Sequence, residues 1–423
     1  MSDATPASES ERHATWPELF FDLVAVAGIS VVAHQLEANQ PWQHVAVLAV
    51  AFVAFWILWA SVTTYGNLLA DGASVAVLFS SMAVLGIMVA SVPEIYGDHA
   101  RAFAIAYVVG RLIIARPWSR GSVVVDMPIV QATLGVIPWI VSIWIEDDSR
   151  YVWWAVGIAL DLWVLLTESG EKRVAHAQQR LNRVLAAPRR GRDRSRELPT
   201  SVTALAGDTT HRGERMALFI LIVLGEGIVQ LIAAAEVSEH WNRALFLAAL
   251  GAFALICELF YIAVVRGTAG LALLPADALP ARALWVGHLV VAVSLVTLVA
   301  ALGQLLEEPS EPVNSHTAWM LALGMAGYGL ASAAAHLAGR TPHAGAVAAA
   351  IGFPTVAAAA WVLLFHESLR ASALGWILAL ALAVAGACAG RLLAGPRPVG
   401  SQLAGPQHAG PQHAGPRKRR ATH

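Results

Sequence analysis

Long apolar blocks constrain this chain more than any other feature of its sequence. Twelve of them follow one another along 423 residues, and each is close to the roughly 20 residues that a helix needs to cross a bilayer. Backbone groups inside lipid must pair within their own segment, so we predict helices. Only 13% of the residues are charged, against roughly a quarter in soluble domains. The sequence therefore predicts an all-α, polytopic integral membrane protein with about twelve transmembrane helices.

The predicted spans form two sets of six, separated by a polar loop. The first set covers residues 19–36, 42–65, 74–92, 101–115, 123–145 and 151–167. The second set covers residues 216–235, 244–265, 283–304, 317–337, 345–365 and 371–393. The expected divisions are an N-terminal segment 1–17, a first half 18–167, a basic loop 168–213, a second half 214–393 and a disordered basic tail 394–423.

Basic residues predict the orientation of these spans. Most of the 28 lysines and arginines lie between residues 172 and 215 or beyond residue 390. Basic stretches beside membrane spans mark the cytoplasmic side. We favour this interpretation over binding of nucleic acid by the same stretches. Alternate loops hold at most one basic residue each. This pattern predicts a multi-pass protein of the inner (plasma) membrane with both termini in the cytoplasm. The basic loop and tail are also candidates for binding anionic lipid.

The layout of six plus six spans suggests a duplication with both halves in the same orientation. Laying residues 19–20 over 218–219 also brings 28–29 onto 227–228. Within the central loop, residues 172–185 consist of good helix formers and predict a helix that ends before Pro188. We expect residues 189–196 to be solvated, and the repetitive tail likewise.

Ionisable side chains inside spans are costly and normally face protein or water, so they are candidates for function. Glu18 and Asp22 are four residues apart, which places both carboxylates on one helix face. We expect Glu226 at the middle of the seventh span, between two glycines. The remaining candidates for substrate or ion binding are Arg111, Asp161, His211, Glu214, Arg215 and Glu258.

Two interpretations of these charges stay open. In the first, those nearer the cytoplasm form a polar vestibule that leads to a mid-membrane carboxylate, Glu226. In the second, Glu18, Asp22 and Arg215 are interfacial groups, and Arg111 forms a structural ion pair. Pro128 and Pro138 predict a kinked or partly unwound fifth span, which either lines a cavity or is simply a bent packing helix.

No catalytic group, cofactor or metal site is predicted. His211 and Glu214 are three residues apart, a spacing that can bind metal on a helix, but two ligands do not make a site. The sequence has no phosphate-binding loop, dinucleotide fingerprint, nucleophile elbow or His-Glu-x-x-His motif. Whether the protein is an enzyme stays undecided, with the balance against it.

Two segments resemble signatures of the bacterial low temperature requirement A (LtrA) family. They are Trp-Pro-Glu-Leu-Phe-Phe-Asp-Leu-Val over 16–24, and His-Arg-Gly-Glu-Arg followed by an apolar run to Glu226 over 211–226. Supporting matches are Asn67, Asp71 and the Ala-Leu-Asp-Leu of 159–162. The resemblance implies that Glu18, Asp22, His211, Glu214, Arg215 and Glu226 are signature positions. The chain departs from the family pattern at Ala25, usually aromatic, and at Gly227, often serine.

Two functions are expected from this reading. The first is a secondary transporter or channel for a small cation or a proton-coupled solute. Glu226 would be the binding carboxylate, and Glu18 and Asp22 would form the cytoplasmic entrance. The charge partner would be Arg215 or Arg111. The second is a membrane protein that does not transport, such as a sensor, an accessory protein or a lipid-handling enzyme. The family's name records a link with growth at low temperature and implies no reaction.

Overall fold

A computed structural model describes residues 15–37, 40–118, 121–186, 201–238 and 240–394, and it is that of an all-α polytopic membrane protein. Its helices are α1 (Trp16–Glu37), α2 (Trp42–Leu69), α3 (Val75–Ser91), α4 (Ala100–Ala115), α5 (Val136–Ser142), α6 (Ser149–Thr167), α7 (Gly170–Ala186), α8 (Thr209–Glu236), α9 (Arg243–Phe260), α10 (Ala281–Ala300), α11 (Gln304–Glu307), α12 (Ser315–Gly339), α13 (Ala344–Phe365) and α14 (Ala371–Ala394).

Nine of the helices in these ranges are long and apolar enough to cross a membrane. The other three predicted spans correspond to α3, with 17 residues, α4, with 16, and the region around α5. Large apolar side chains are exposed on many helices, for example Leu23 (61%), Phe353 (77%) and Leu364 (75%). A soluble monomer rarely exposes so much apolar surface, whereas a bilayer solvates it.

The two halves have the same order of helix neighbours. In the first half, α1 contacts α2 and α3, α3 contacts α4, α4 contacts α5, α5 contacts α6, and α6 returns to α2. In the second half, α8 contacts α9 and α10, α10 contacts α12, α12 contacts α13, α13 contacts α14, and α14 returns to α9. Each half is therefore a closed ring of six elements, which supports a duplication. Between the halves, α1 contacts α8, and α2 and α6 contact α10.

The fifth predicted span is not a continuous helix. It consists of a strand, β1 (Ser122–Val124), one 3₁₀ turn (Pro128–Val130) and the seven-residue α5. The expected unwinding is confirmed, and the helical range 123–145 is corrected. Proline has no N–H and therefore favours the first positions of a helical turn over its interior. Pro128 begins the 3₁₀ turn, and Pro138 lies in the first turn of α5.

The central loop contains ordered structure on both sides of its undescribed part. The predicted helix over 172–185 is confirmed by α7, and strand β2 (Thr203–Leu205) pairs in parallel with β1. The expectations for residues 189–196 and for the tail lie outside the described residues. The seventh span begins at Thr209, seven residues before the predicted start. The helix starts there because the Asp208 carboxylate caps α8 by accepting hydrogen bonds from the backbone N–H groups of Thr210 (2.7 Å) and His211 (3.1 Å).

The predicted orientation can be tested with single cysteines on the exposed residues Ser201 and Ser310, after Cys257 and Cys388 are replaced by serine. If the loop before α8 is cytoplasmic, an impermeant maleimide should label Ser310→Cys in intact cells. It should label Ser201→Cys only after permeabilisation. Labelling of both positions from one side would contradict the topology.

Candidate functional site

The first and eighth helices run side by side in the same direction, and charged pairs fix their register. Glu18 Oε1 lies 3.3 Å from His211 Nε2, and Arg215 Nη2 donates a hydrogen bond of 2.8 Å to Asp22 Oδ1. Both members of the second pair lie four residues beyond those of the first pair. The α1–α8 contact is therefore parallel, and it joins the two halves through the family-like segments of the sequence.

These four residues form what we call the inner charge cluster: Glu18, Asp22, His211 and Arg215. All four are buried; His211 is 0% and Arg215 is 1% exposed. Trp59 on α2 donates its indole N–H to Asp22 Oδ1 at 3.0 Å. The Glu18 carboxylate packs against Gly66, where a Cβ atom would collide with Oε1. The cluster thus draws on α1, α2 and α8.

The inner charge cluster has unused hydrogen-bonding capacity. Within the described part of the chain, Arg215 Nε and Nη1, Asp22 Oδ2 and His211 Nδ1 are buried and have no hydrogen-bond partner. A buried polar group without a partner costs about 1–3 kcal/mol. Asp22 also lines a groove of about 400 Å³ between α1 and α8. These atoms are therefore placed to bind water, a proton or a solute.

The second buried ion pair, between Arg111 on α4 and Asp161 on α6, is saturated by contrast. Arg111 Nη1 donates to Tyr107 Oη (2.9 Å) and to Asp161 Oδ2. Its Nη2 donates to the carbonyl oxygens of Ala132 (2.8 Å) and Ile129 (3.1 Å) and to Asp161 Oδ1 (3.3 Å). Those carbonyls belong to the unwound fifth segment. The geometry favours the structural interpretation of Arg111 and Asp161.

Three carboxylates form what we call the outer carboxylate cluster: Glu37 at the end of α1, Glu226 within α8 and Glu307 at the end of α11. Glu226 is 6% exposed and accepts a hydrogen bond of 2.8 Å from Gln230. Glu37 contacts His34 (3.2 Å) and is half-buried, whereas Glu307 is exposed. Glu226 is therefore the one buried carboxylate of the three.

The register of α1 and α8 places Glu226 relative to Glu18 and Glu37. Glu18 and Glu37 are 19 residues apart on α1, which is about 28 Å along a helix and matches the thickness of the hydrocarbon layer. His211 lies level with Glu18, and Glu226 is 15 residues beyond His211 on α8, so Glu226 lies nearer to the Glu37 end of α1 than to the Glu18 end. Sequence reasoning missed Glu37 because the end of a span resembles an interfacial position.

The remaining predicted site residues stand apart from both clusters. Glu214 is half-buried and takes part in none of the ion pairs of the described residues. Glu258 is half-buried on α9 and lines a separate groove with Arg266 and Arg391. No three His, Cys, Asp or Glu side chains converge as metal ligands in the ranges that the structure covers.

Polar contacts also attach the central loop to the broken fifth segment. Arg212 Nη1 pairs with Asp126 Oδ2 at 3.0 Å, and Arg173 on α7 donates to the Pro128 carbonyl at 2.8 Å. Burial lowers the pKa of the Arg173 guanidinium from its ordinary value. The side chain of Asn67 on α2 exchanges two hydrogen bonds with the backbone of Asp208. The loop, the fifth segment and the start of α8 therefore form one connected unit.

Sequence reasoning also missed Trp59, although a signal was present. A buried tryptophan usually finds a partner for its indole N–H, and Trp59 lies in the middle of an apolar block. Its ring also stacks on His288 of α10, with centroids 5.6 Å apart. Trp59 thus connects the inner charge cluster to the contact between α2 and α10.

Comparison with known proteins gives one family match. The family model described as bacterial low temperature requirement A protein (LtrA) matches residues 13–388. No curated protein and no solved structure matches the chain.

The Arg111–Asp161 pair is buried and fully hydrogen-bonded, so removing its negative charge should lower the free energy of unfolding. Asp161→Asn leaves Arg111 buried without a counter-charge and should destabilise the protein by about 3–5 kcal/mol. Asp98→Asn is the matched control, because Asp98 is exposed and takes part in none of the ion pairs of the described residues, and it should change the stability by less than about 0.5 kcal/mol. Thermal unfolding in detergent measures both. Equal losses would contradict a structural role specific to the Arg111–Asp161 pair.

Proposed function

The chain belongs to the bacterial low temperature requirement A (LtrA) family, and from its buried charges we propose that it moves a small cation or a proton-coupled solute across the membrane. One observation carries the proposal. Along the helix pair α1–α8, the buried inner charge cluster and the buried Glu226 are separated by 15 residues of α8, about 22 Å and so most of the thickness of the hydrocarbon layer. Charged groups inside a membrane are costly, and those that persist usually lie on ion or proton pathways.

An apolar layer separates the two clusters. The α1 residues between them include Ala25, Ile29 and Ala33, and the neighbouring part of α8 includes Phe219 and Val223; all five are 0% exposed. Hydrocarbon side chains packed in this way leave no polar contact for an ion. We therefore assign the conformation to a closed state, and passage requires α1 to move against α8.

The inner charge cluster serves as the cytoplasmic entrance in this scheme. Asp22 and Glu18 attract a cation or accept a proton, and Arg215 sets the charge balance because it is paired with only one oxygen of Asp22. The groove beside Asp22 gives this carboxylate a route to the surface between α1 and α8. The buried His211 lies 3.3 Å from Glu18 and adds a second polar side chain to the entrance.

The outer carboxylate cluster serves as the binding site on the other side. Glu226 is a buried carboxylate without an ion-pair partner among the described residues, and a bound cation or proton would neutralise its charge there. Gln230 holds the carboxylate of Glu226 by a hydrogen bond, and His34 holds that of Glu37. Glu226 keeps the role of principal carboxylate, now together with Glu37.

A second candidate function is a protein that does not transport, and one feature favours it. The surface of α7 carries Lys172, His176, Arg180 and Arg183, all exposed and spaced to lie on one helix face. A basic stripe at the membrane surface can hold anionic lipid or an acidic cytosolic partner. Under this alternative the buried carboxylates are structural, and the protein acts as a sensor, an accessory subunit or a lipid-handling protein linked to growth in the cold.

Flux through proteoliposomes tests the transport proposal. Purified protein is reconstituted with a luminal pH dye, and gradients of K⁺, Na⁺ and H⁺ are imposed in turn. We expect protein-dependent flux that Glu226→Gln lowers at least ten-fold, because the neutral amide neither carries a proton nor attracts a cation. Glu258→Gln is the matched control: it makes the same change on a half-buried glutamate outside both clusters, and flux should be retained.

Folding is verified for each variant by size-exclusion chromatography and thermal unfolding. Full flux in folded Glu226→Gln protein would overturn the assignment of the site. Absence of flux under every gradient, from folded wild-type protein, would reject transport of these cations and of protons alone, and it would favour the non-transporting function over the transport of a proton-coupled solute.

A further inference from the structure

A groove on the surface joins the two halves of the protein. It has a volume of about 580 Å³ and lies between the ends of α6, α10 and α12. Apart from Arg282, its wall is made only of apolar side chains and one glycine: Leu165, Leu166, Leu279, Ala283, Val286, Gly287, Val290, Leu330, Ala331, Ala334, Ala335 and Ala338. Small residues on α12 keep the groove open.

The groove runs along the membrane normal from a polar mouth. Arg282, Val286 and Val290 follow one face of α10 at intervals of four residues, so the groove extends about 12 Å into the apolar layer. All three helix ends at its mouth, those of α6, α10 and α12, lie on the predicted cytoplasmic side. The groove has the orientation and the lining expected for an extended acyl chain.

A second cavity continues the groove at its mouth, and Arg282 lines both. This cavity has a volume of about 830 Å³ and lies between α7 and the start of α10. Its polar lining includes Ser169, Gln178 and the acidic Asp126 and Glu171. Asp126 is already paired with Arg212, whereas Arg282 is half-buried and takes part in none of the ion pairs of the described residues.

The start of α10 adds to the positive potential at Arg282. Pro280 precedes the helix, and no side chain caps it. The N–H groups of Ala283 and Leu284 bond the Pro280 carbonyl, which leaves those of Ala281 and Arg282 at the start of the helix, and both of these residues line the second cavity. Helix N-termini of this kind favour anions. A phospholipid combines an apolar acyl chain with a charged head group. On the lipid-facing surface, an apolar groove that ends at a half-buried arginine matches both parts.

We propose that an anionic phospholipid occupies this site, with one acyl chain in the α6–α10–α12 groove and its phosphate against Arg282. The lipid bridges the first half, through α6, to the second half, through α10 and α12. It is distinct from lipid held by the exposed basic stripe of α7, because it needs the groove as well as the charge. The site does not depend on whether the protein transports.

Photo-crosslinking in nanodiscs tests the proposal. The probes are phosphatidylglycerol and phosphatidylcholine that carry a diazirine at the end of one acyl chain, and labelled peptides are identified by mass spectrometry. We expect phosphatidylglycerol to label α6, α10 or α12 around the groove more strongly than phosphatidylcholine. Arg282→Gln should lower this preference about five-fold, the effect of removing one basic residue worth about 1 kcal/mol near the surface.

Two further variants separate the charge from the groove. Ala334→Phe fills the groove from its exposed side and should reduce labelling by both lipids. Arg116→Gln removes an exposed arginine at the end of α4 and should leave labelling unchanged. Equal labelling by the two lipids together with no effect of Arg282→Gln would overturn the anionic site. Labelling that is unaffected by Ala334→Phe would overturn the acyl-chain groove.

Discussion

The ion pair between Asp22 and Arg215 is the interaction on which the arrangement of the two halves depends. It lies between two parallel helices, one from each half, and the Glu18–His211 contact repeats it one turn earlier. A buried pair is weak evidence for stability, because desolvation offsets much of the attraction, but breaking it is costly. The Asp22–Arg215 pair fixes the register of α1 against α8. A slide of α1 along α8 by one turn would leave charges unpaired in a medium that cannot solvate them.

The same constraint explains the broken fifth segment. Irregular backbone is tolerated at membrane depth only where protein satisfies its polar groups. Here Arg111 binds two carbonyl oxygens of the segment, and the Gln131 side chain bonds the backbone of Ser122 and Val124. Strand β2 of the central loop completes the pairing. The buried Arg111 thus has a structural role, while the buried Arg215 keeps the donor nitrogens Nη1 and Nε without hydrogen-bond partners among the described residues. This difference separates a structural site from a candidate binding site.

Much of the fold could be predicted from the sequence, and the errors have physical causes. The apolar blocks, α7 and the unwinding near Pro128 follow from local composition and from the chemistry of proline. The start of α8 did not, because His211, Arg212 and Arg215 look like part of a basic loop until their partners on α1 and the fifth segment are known. The candidate charges were identified, but their grouping was not. A periodic pattern does not show which helix a carboxylate faces, so Glu37 was missed.

The central claim is that α1 must move against α8 for a solute to pass. A reversible cross-link between these helices tests it most directly. Val26 and Leu218 line the same groove between α1 and α8, and they follow the Asp22–Arg215 pair by about one turn. In a protein without Cys257 and Cys388, Val26→Cys and Leu218→Cys should form a disulfide on oxidation. The account predicts that the oxidised protein loses proteoliposome flux and that reduction restores it, whereas either single variant is unaffected. Full flux through the cross-linked protein would contradict the account.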